Sequence, residues 1–122
     1  MRIKFLSVTP ALYADDVLST ADWYKTWLDF KVELCPPQPP HVAAILWRNE
    51  VRLTVREDVA CEPPRAPIIY INVRGISELF ERLRDRVTVC RSLSQELDGT
   101  STFEIADPNG YVLAFIEEPD AA

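Results

Sequence analysis

Apolar and polar residues alternate through "FLSVTPALYA" (5–14), which predicts a strand. Asp15 and Asp16 follow, then a run in which Val17, Ala21, Tyr24 and Leu28 share one stripe, with Trp27 beside it. That period predicts a helix from about Val17 to Leu28. "FKVELC" predicts a short strand, and "PPQPP" a stiff loop that cannot join a ladder. "VAAILW" and "VRLTVRE" flank Arg48-Asn49-Glu50 as a hairpin. The second half repeats this order. "PIIYINV" is a strand, Arg74-Gly75 precede a helix, and Ile76, Leu79, Phe80 and Leu83 stand at i, i+3, i+4 and i+7. "RVTVCRS" is the next strand. "STFEIA" and "YVLAFIEE" then close a hairpin around Asp107-Pro108-Asn109-Gly110, a turn-type cluster.

The order β-α-β-β-β is therefore written twice, and the chain is expected to be one α+β domain, 1–122. Its units are 3–58 and 66–118, with a proline-rich linker at 63–67. Within a strand, side chains two apart share a face. One parity is strongly apolar in four strands: Val8, Pro10 and Leu12; Val51, Leu53 and Val55; Ile69, Ile71 and Val73; Tyr111, Leu113 and Phe115. That face is expected under the two helices. The other parity is mixed, with Thr9, Tyr13, Arg52, Thr54, Tyr70, Asn72 and Ala114, and reads either as solvent surface or as the lining of a cavity.

Composition narrows the function. A chain of 122 residues is long enough for a core without staples. Net charge of −6 argues against a nucleic-acid partner. It is compatible with a cationic ligand, and equally with acidity kept for solubility. Cys35, Cys61 and Cys90 are odd in number and far apart, so reduced thiols in a cytoplasmic protein are expected, with Cys35 and Cys90 buried. No segment reaches the ~20 apolar residues of a membrane span, and "MRIKFLSVTP" is too short an apolar run for a signal peptide. His41, the single histidine, falls in a loop with no partner nearby and reads as exposed.

Two pieces carry a resemblance to a known family: D-V-x-x-[ST]-x-x-[WF]-Y at 16–24 and D-P-x-G at 107–110. With the repeated unit, they resemble the vicinal oxygen chelate superfamily of glyoxalase I, extradiol dioxygenases, fosfomycin-resistance enzymes and bleomycin-resistance proteins. "VTPALYADDV" and "INVRGISELFERL" (71–83) are most similar to the metal-free bleomycin-resistance branch. The resemblance implies a mostly antiparallel curved sheet with helices on one face. It also implies a homodimer, often arm-exchanged, with grooves at the subunit interface. The family's usual glycine after the first helix is Asp29 here, a residue that tolerates the left-handed conformation.

Enzymes of that superfamily hold a divalent ion with four His, Gln or Glu side chains. Carried onto this chain, those positions are Thr9, Arg52, Ile68 and Ala114. A hydroxyl, a cation, an alkyl and a methyl do not form a chelating set. The resemblance thus implies a metal-independent protein with no cofactor and no catalytic residue. Glu117 and Glu118 at the hairpin's end read as solvated carboxylates. An aromatic platform of Trp47 and Tyr70, beside Arg52, Asn72 and Glu104, is the expected ligand site; the facing of Glu104 depends on hairpin register. Sequestration of a small molecule is the expected function, a cationic glycopeptide antibiotic such as bleomycin being one candidate. The alternatives are a glyoxalase-like lyase or isomerase, or a dioxygenase, with an atypical metal site, and a pure interaction module.

Overall fold

The computed structural model describes residues 2–57 and 67–118. Cys61, most of the proline-rich linker, and the unit limits at 58 and 66 lie outside the described residues. The elements follow the predicted order: β1 Ala11–Ala14, α1 Val17–Leu28, β2 Lys31–Cys35, β3 Ala43–Arg48, β4 Val51–Glu57, β5 Ile68–Val73, α2 Ile76–Leu83, β6 Thr88–Gln95, β7 Ser101–Ala106 and β8 Val112–Glu117. They form two four-stranded sheets, ordered β1-β4-β3-β2 and β5-β8-β7-β6. The first strand of each unit lies parallel to the last, β1 to β4 and β5 to β8, and the other pairs are antiparallel.

Local chemistry sets the ends of α1. The Asp16 carboxylate accepts the Ser19 N–H at 3.1 Å as an N-cap. Asp29 ends the helix at φ 56°, and the Phe30 N–H returns to the Tyr24 carbonyl at 3.3 Å. In the β3–β4 hairpin, Asn49 takes the left-handed position, φ 54°.

The first strand is shorter than its alternation predicts. Ile3, Phe5, Leu6 and Val8 are 73–94 % exposed and belong to no strand. Register explains the loss before Val8. Ala11 pairs with Thr54, so Val8 would fall opposite Val51, where β4 begins. Earlier residues would run past the hairpin tip with no neighbour to pair. Val8 itself is exposed and stands outside the core set to which its parity assigned it.

Elsewhere the apolar parity is the buried one. Leu12, Leu46, Leu53 and Val55 lie under α1, with Tyr24 and Leu28; Ile71, Phe103, Leu113 and Phe115 lie on the α2 side, with Ile76 and Leu83. Phe103 stacks on Phe115 with ring centres 4.9 Å apart, and the Phe80 edge meets Phe103 at 5.1 Å.

Three sequence expectations need correction. Cys90 is exposed, because it lies on the edge strand β6 where the register to β7 slips between Val89 and Arg91; Cys35 is half-buried. His41 is half-buried, its Nδ1 2.7 Å from the Pro36 carbonyl. Glu117 is not simply solvated. Its Oε2 accepts the Ile76 N–H at 2.9 Å and so caps α2, which has only Gly75 at its N-cap.

The two units are joined by their most distinctive sequence motifs. Tyr24, buried on α1, donates its hydroxyl to Asp107 Oδ2 at 2.7 Å. Asp107 Oδ1 accepts the N–H groups of Asn109 and Tyr111 at 2.8 and 2.9 Å. Asn109 Nδ2 donates to Thr20 Oγ1 at 2.9 Å, and Tyr111 Oη accepts the Tyr13 N–H at 2.9 Å. The turn at 107–110 is thus a latch between the second unit's last hairpin and the first unit's helix. Burial pushes the Asp107 carboxyl up, against the pull of the donors around it. Burial, with the Asp107 charge beside it, holds the Tyr24 phenol far above its ordinary value, so it remains a donor.

Candidate functional site

With helices on one side of each sheet, the mixed parity forms two open faces. Direct cross-strand neighbours lie about 4.5–5.5 Å apart, so the pairing table reads out which side chains adjoin. On the second sheet, Tyr70, Ala114 and Glu104 form one row across β5, β8 and β7. The next row is Asn72, Ile116 and Thr102. Glu104 therefore points to the open face, which settles the register question left by the turn. Ala114 is 4 % exposed, sunk between the larger Tyr70 and Glu104. Tyr70 stands out at 67 % exposure.

Polar contacts around Glu104 are sparse. Arg91 Nη1 lies 3.9 Å from its carboxylate, while Arg91 Nη2 is held closer, at 3.3 Å, by Glu96. Glu96 also accepts the Thr102 hydroxyl at 3.0 Å. Two carboxylates thus share one guanidinium at the β6 edge, and Tyr70 stands at the opposite edge of the same sheet. Apolar Val112, Ala114 and Ile116 run alongside. The expected residues Tyr70, Asn72 and Glu104 share this sheet, whereas Arg91 and Glu96 were not among those expected. Both depend on irregular register in β6, which no alternation pattern records.

On the first sheet, Lys31, Trp47 and Arg52 form a row across β2, β3 and β4. Glu33, Ile45, Thr54 and Ala11 form the next. Cys35, Ala43, Arg56 and Tyr13 form the third. Trp47 is half-buried and Arg52 exposed. The five expected site residues therefore fall into two groups on different sheets: Trp47 with Arg52, and Tyr70, Asn72 and Glu104.

The four positions of the implied metal site do not fit a metal. Thr9 precedes β1, Arg52 is an exposed cation, Ile68 opens β5 and Ala114 is the sunken methyl. No cluster of three His, Cys, Asp or Glu suited to a metal ion occurs among the described residues.

Two cavities among the described residues bear on the site. A wide cleft of about 960 Å³ separates the units, floored by Leu28, Phe30, Ile71 and Phe115. Of the expected site residues only Asn72 lines it. Much of its polar wall is already engaged: Arg48 donates to the Leu28 carbonyl at 3.0 Å, and Arg82 lies 3.3 Å from Asp29 and 3.7 Å from Glu78. Size alone does not make it the site. A smaller cavity of about 250 Å³ lies beside Trp47 and Arg52, closed on one side by Ser7, Val8 and Thr9.

Two βαβββ units with open helix-free faces define an α+β protein of the glyoxalase/bleomycin-resistance fold, and solved structures agree. TioX from Micromonospora sp. ML1 superposes with a TM-score of 0.79 at 18 % identity, covering 93 % of this chain and 99 % of that one. A bleomycin resistance determinant encoded on transposon Tn5 gives 0.76 at 18 %, covering 93 % and 98 %. Lactoylglutathione lyase from Agrobacterium tumefaciens gives 0.71 at 16 %, covering 91 % and 92 %. No protein-family model and no curated protein matches the chain. Likeness at these identities shows the fold, which is shared by a resistance determinant and a lyase and so does not choose between them. No helix among the described residues is long and apolar enough to cross a membrane.

Proposed function

We propose that the chain binds a small organic molecule on the open faces of its sheets and holds it away from its target, making and breaking no bond. The row Tyr70–Ala114–Glu104 carries this reading. A protruding aromatic ring, a hollow and a weakly neutralised carboxylate suit a flat ligand with a cationic group. Bleomycin is a molecule of that kind. The alternative, a metal-dependent lyase or dioxygenase, finds no donor set at Thr9, Arg52, Ile68 and Ala114.

A second copy of the chain is the proposed cover. Tyr13 on the first open face and Ile68 and Tyr70 on the second stand 40–67 % exposed, apolar surface that a partner would cover. The proposed setting is the cytoplasm.

Calorimetric titration with metal-free bleomycin tests the reading. Saturable binding at micromolar or tighter affinity is expected, unchanged by a chelator. Glu104→Gln should weaken it by about tenfold, the scale of one charge-assisted contact. Stoichiometric metal in the purified protein, with binding lost on its removal, would overturn sequestration in favour of the metal enzyme.

A further inference from the structure

The first sheet's open face is basic in a chain of net charge −6. Its strands present Lys31, Arg52 and Arg56 against one carboxylate, Glu33. The other arginines of strands and helices are engaged. Arg48 holds a carbonyl, Arg82 and Arg91 hold carboxylates, and Arg74 has a partner of its own. Among the described residues, Lys31, Arg52 and Arg56 make no ion pair. Exposed cations usually serve solubility, but these three sit on one face and Arg52 opens into a cavity.

That cavity supplies the second observation. Its volume is about 250 Å³, and Arg52 and Trp47 form one wall as direct cross-strand neighbours. Ser7, Thr9 and Asn49, residues with polar side chains, line it as well. Glu50 is the one carboxylate on its rim, and it makes no ion pair with Arg52. Arg52, Trp47 and three polar residues thus line a space the size of a small ring with a polar substituent. Arginine matches a carboxylate with two parallel donors, and the indole offers a flat apolar surface for the body that bears it.

We propose that this cavity binds the carboxylate of a planar organic acid, with Arg52 as its charge partner and Trp47 as the surface beneath its ring. Lys31 and Arg56 raise the local positive field; Glu50 opposes it. The proposal rests on the reading that the open faces bind small molecules. It reverses, for this face, the ligand charge that the acidic chain and the Glu104 row favour. The two faces then select opposite charges, and a ligand bearing both would need both.

The test is calorimetric titration with a matched pair, 1-naphthoate and 1-naphthylmethylammonium. Naphthoate should saturate, and Arg52→Gln should weaken it by about tenfold to a hundredfold, with Arg52→Lys between. Glu50→Gln should tighten it, and Arg84→Gln on α2's far end should leave it unchanged. Arg52 is exposed, so its variants should keep the parent's thermal unfolding midpoint, which separates lost binding from lost fold. Naphthoate binding unaffected by Arg52→Gln, or no naphthoate binding at all, overturns the proposal. If the ammonium compound then still binds through Glu104, the sequestration reading survives without it. If neither compound binds, this proposal falls, and the sequestration reading stands or falls on the bleomycin titration.

Discussion

At the scale of single residues, the buried Tyr24–Asp107 contact has the largest consequence. Tyr24→Phe removes the phenol's hydrogen and leaves a buried carboxylate oxygen short of a donor. About 1–3 kcal/mol of stability should be lost, read by urea unfolding. The carboxylate also predicts a pH effect, and its sign follows from the direction of its shift. Burial raises Asp107 above its ordinary value of 3.8, so the folded chain binds this proton more tightly than the unfolded chain. Its stabilisation is fully present below the unfolded value and is lost as pH rises through the folded one. The stability difference between the parent and Asp107→Asn should therefore fall as pH rises from about 4, then level off. A difference that grows instead would mean the donors outweigh burial. None of this was legible in the sequence. Asp-Pro-Asn-Gly reads as a turn, and turns read as exposed; only the coexistence of two motifs hinted that they touch.

At the scale of elements, periodicity located both helices and most strands, because amphipathic period is imposed by burial on one side. It failed at residues 5–10 for a physical reason. Alternation shows that a segment can be a strand, whereas a strand also needs a neighbour, and register withholds one from the residues before Val8. The facing of Glu117 was derivable as well. Odd offset from Ala114 puts it on the helix side, beside the start of α2, where unsatisfied N–H groups need an acceptor. Glu117→Ala should cost roughly 1 kcal/mol, as loss of an N-terminal cap does. Hydrogen exchange should report it as faster exchange confined to the first turn of α2.

At the scale of the whole molecule, the open faces and the exposed segment 2–9 belong to one prediction. Apolar side chains 73–94 % exposed there are costly to leave in water, at about 25 cal/mol per Å². Light scattering should report a mass of two chains, and deletion of residues 2–9 should shift it toward one. A single-chain mass for the full-length protein would remove the second copy as cover. The halves of the candidate site were read from parity alone, which placed each side chain on its face. Parity holds within a sheet, so it could not say that Trp47 and Arg52 lie on one sheet and Tyr70, Asn72 and Glu104 on another.

The latch has a consequence for the order in which the protein is made. α2 is capped from within its own unit, by Glu117, but α1 depends on residues 83 to 89 positions further along the chain for Tyr24 and Thr20. During synthesis the first unit leaves the ribosome with its central phenol unmatched. It must wait for the last hairpin of the second unit before Asp107 arrives. A nascent chain arrested before that point should be easily cleaved by protease within α1, and release of only a few more residues should protect it. The second unit would then decide when the first becomes stable.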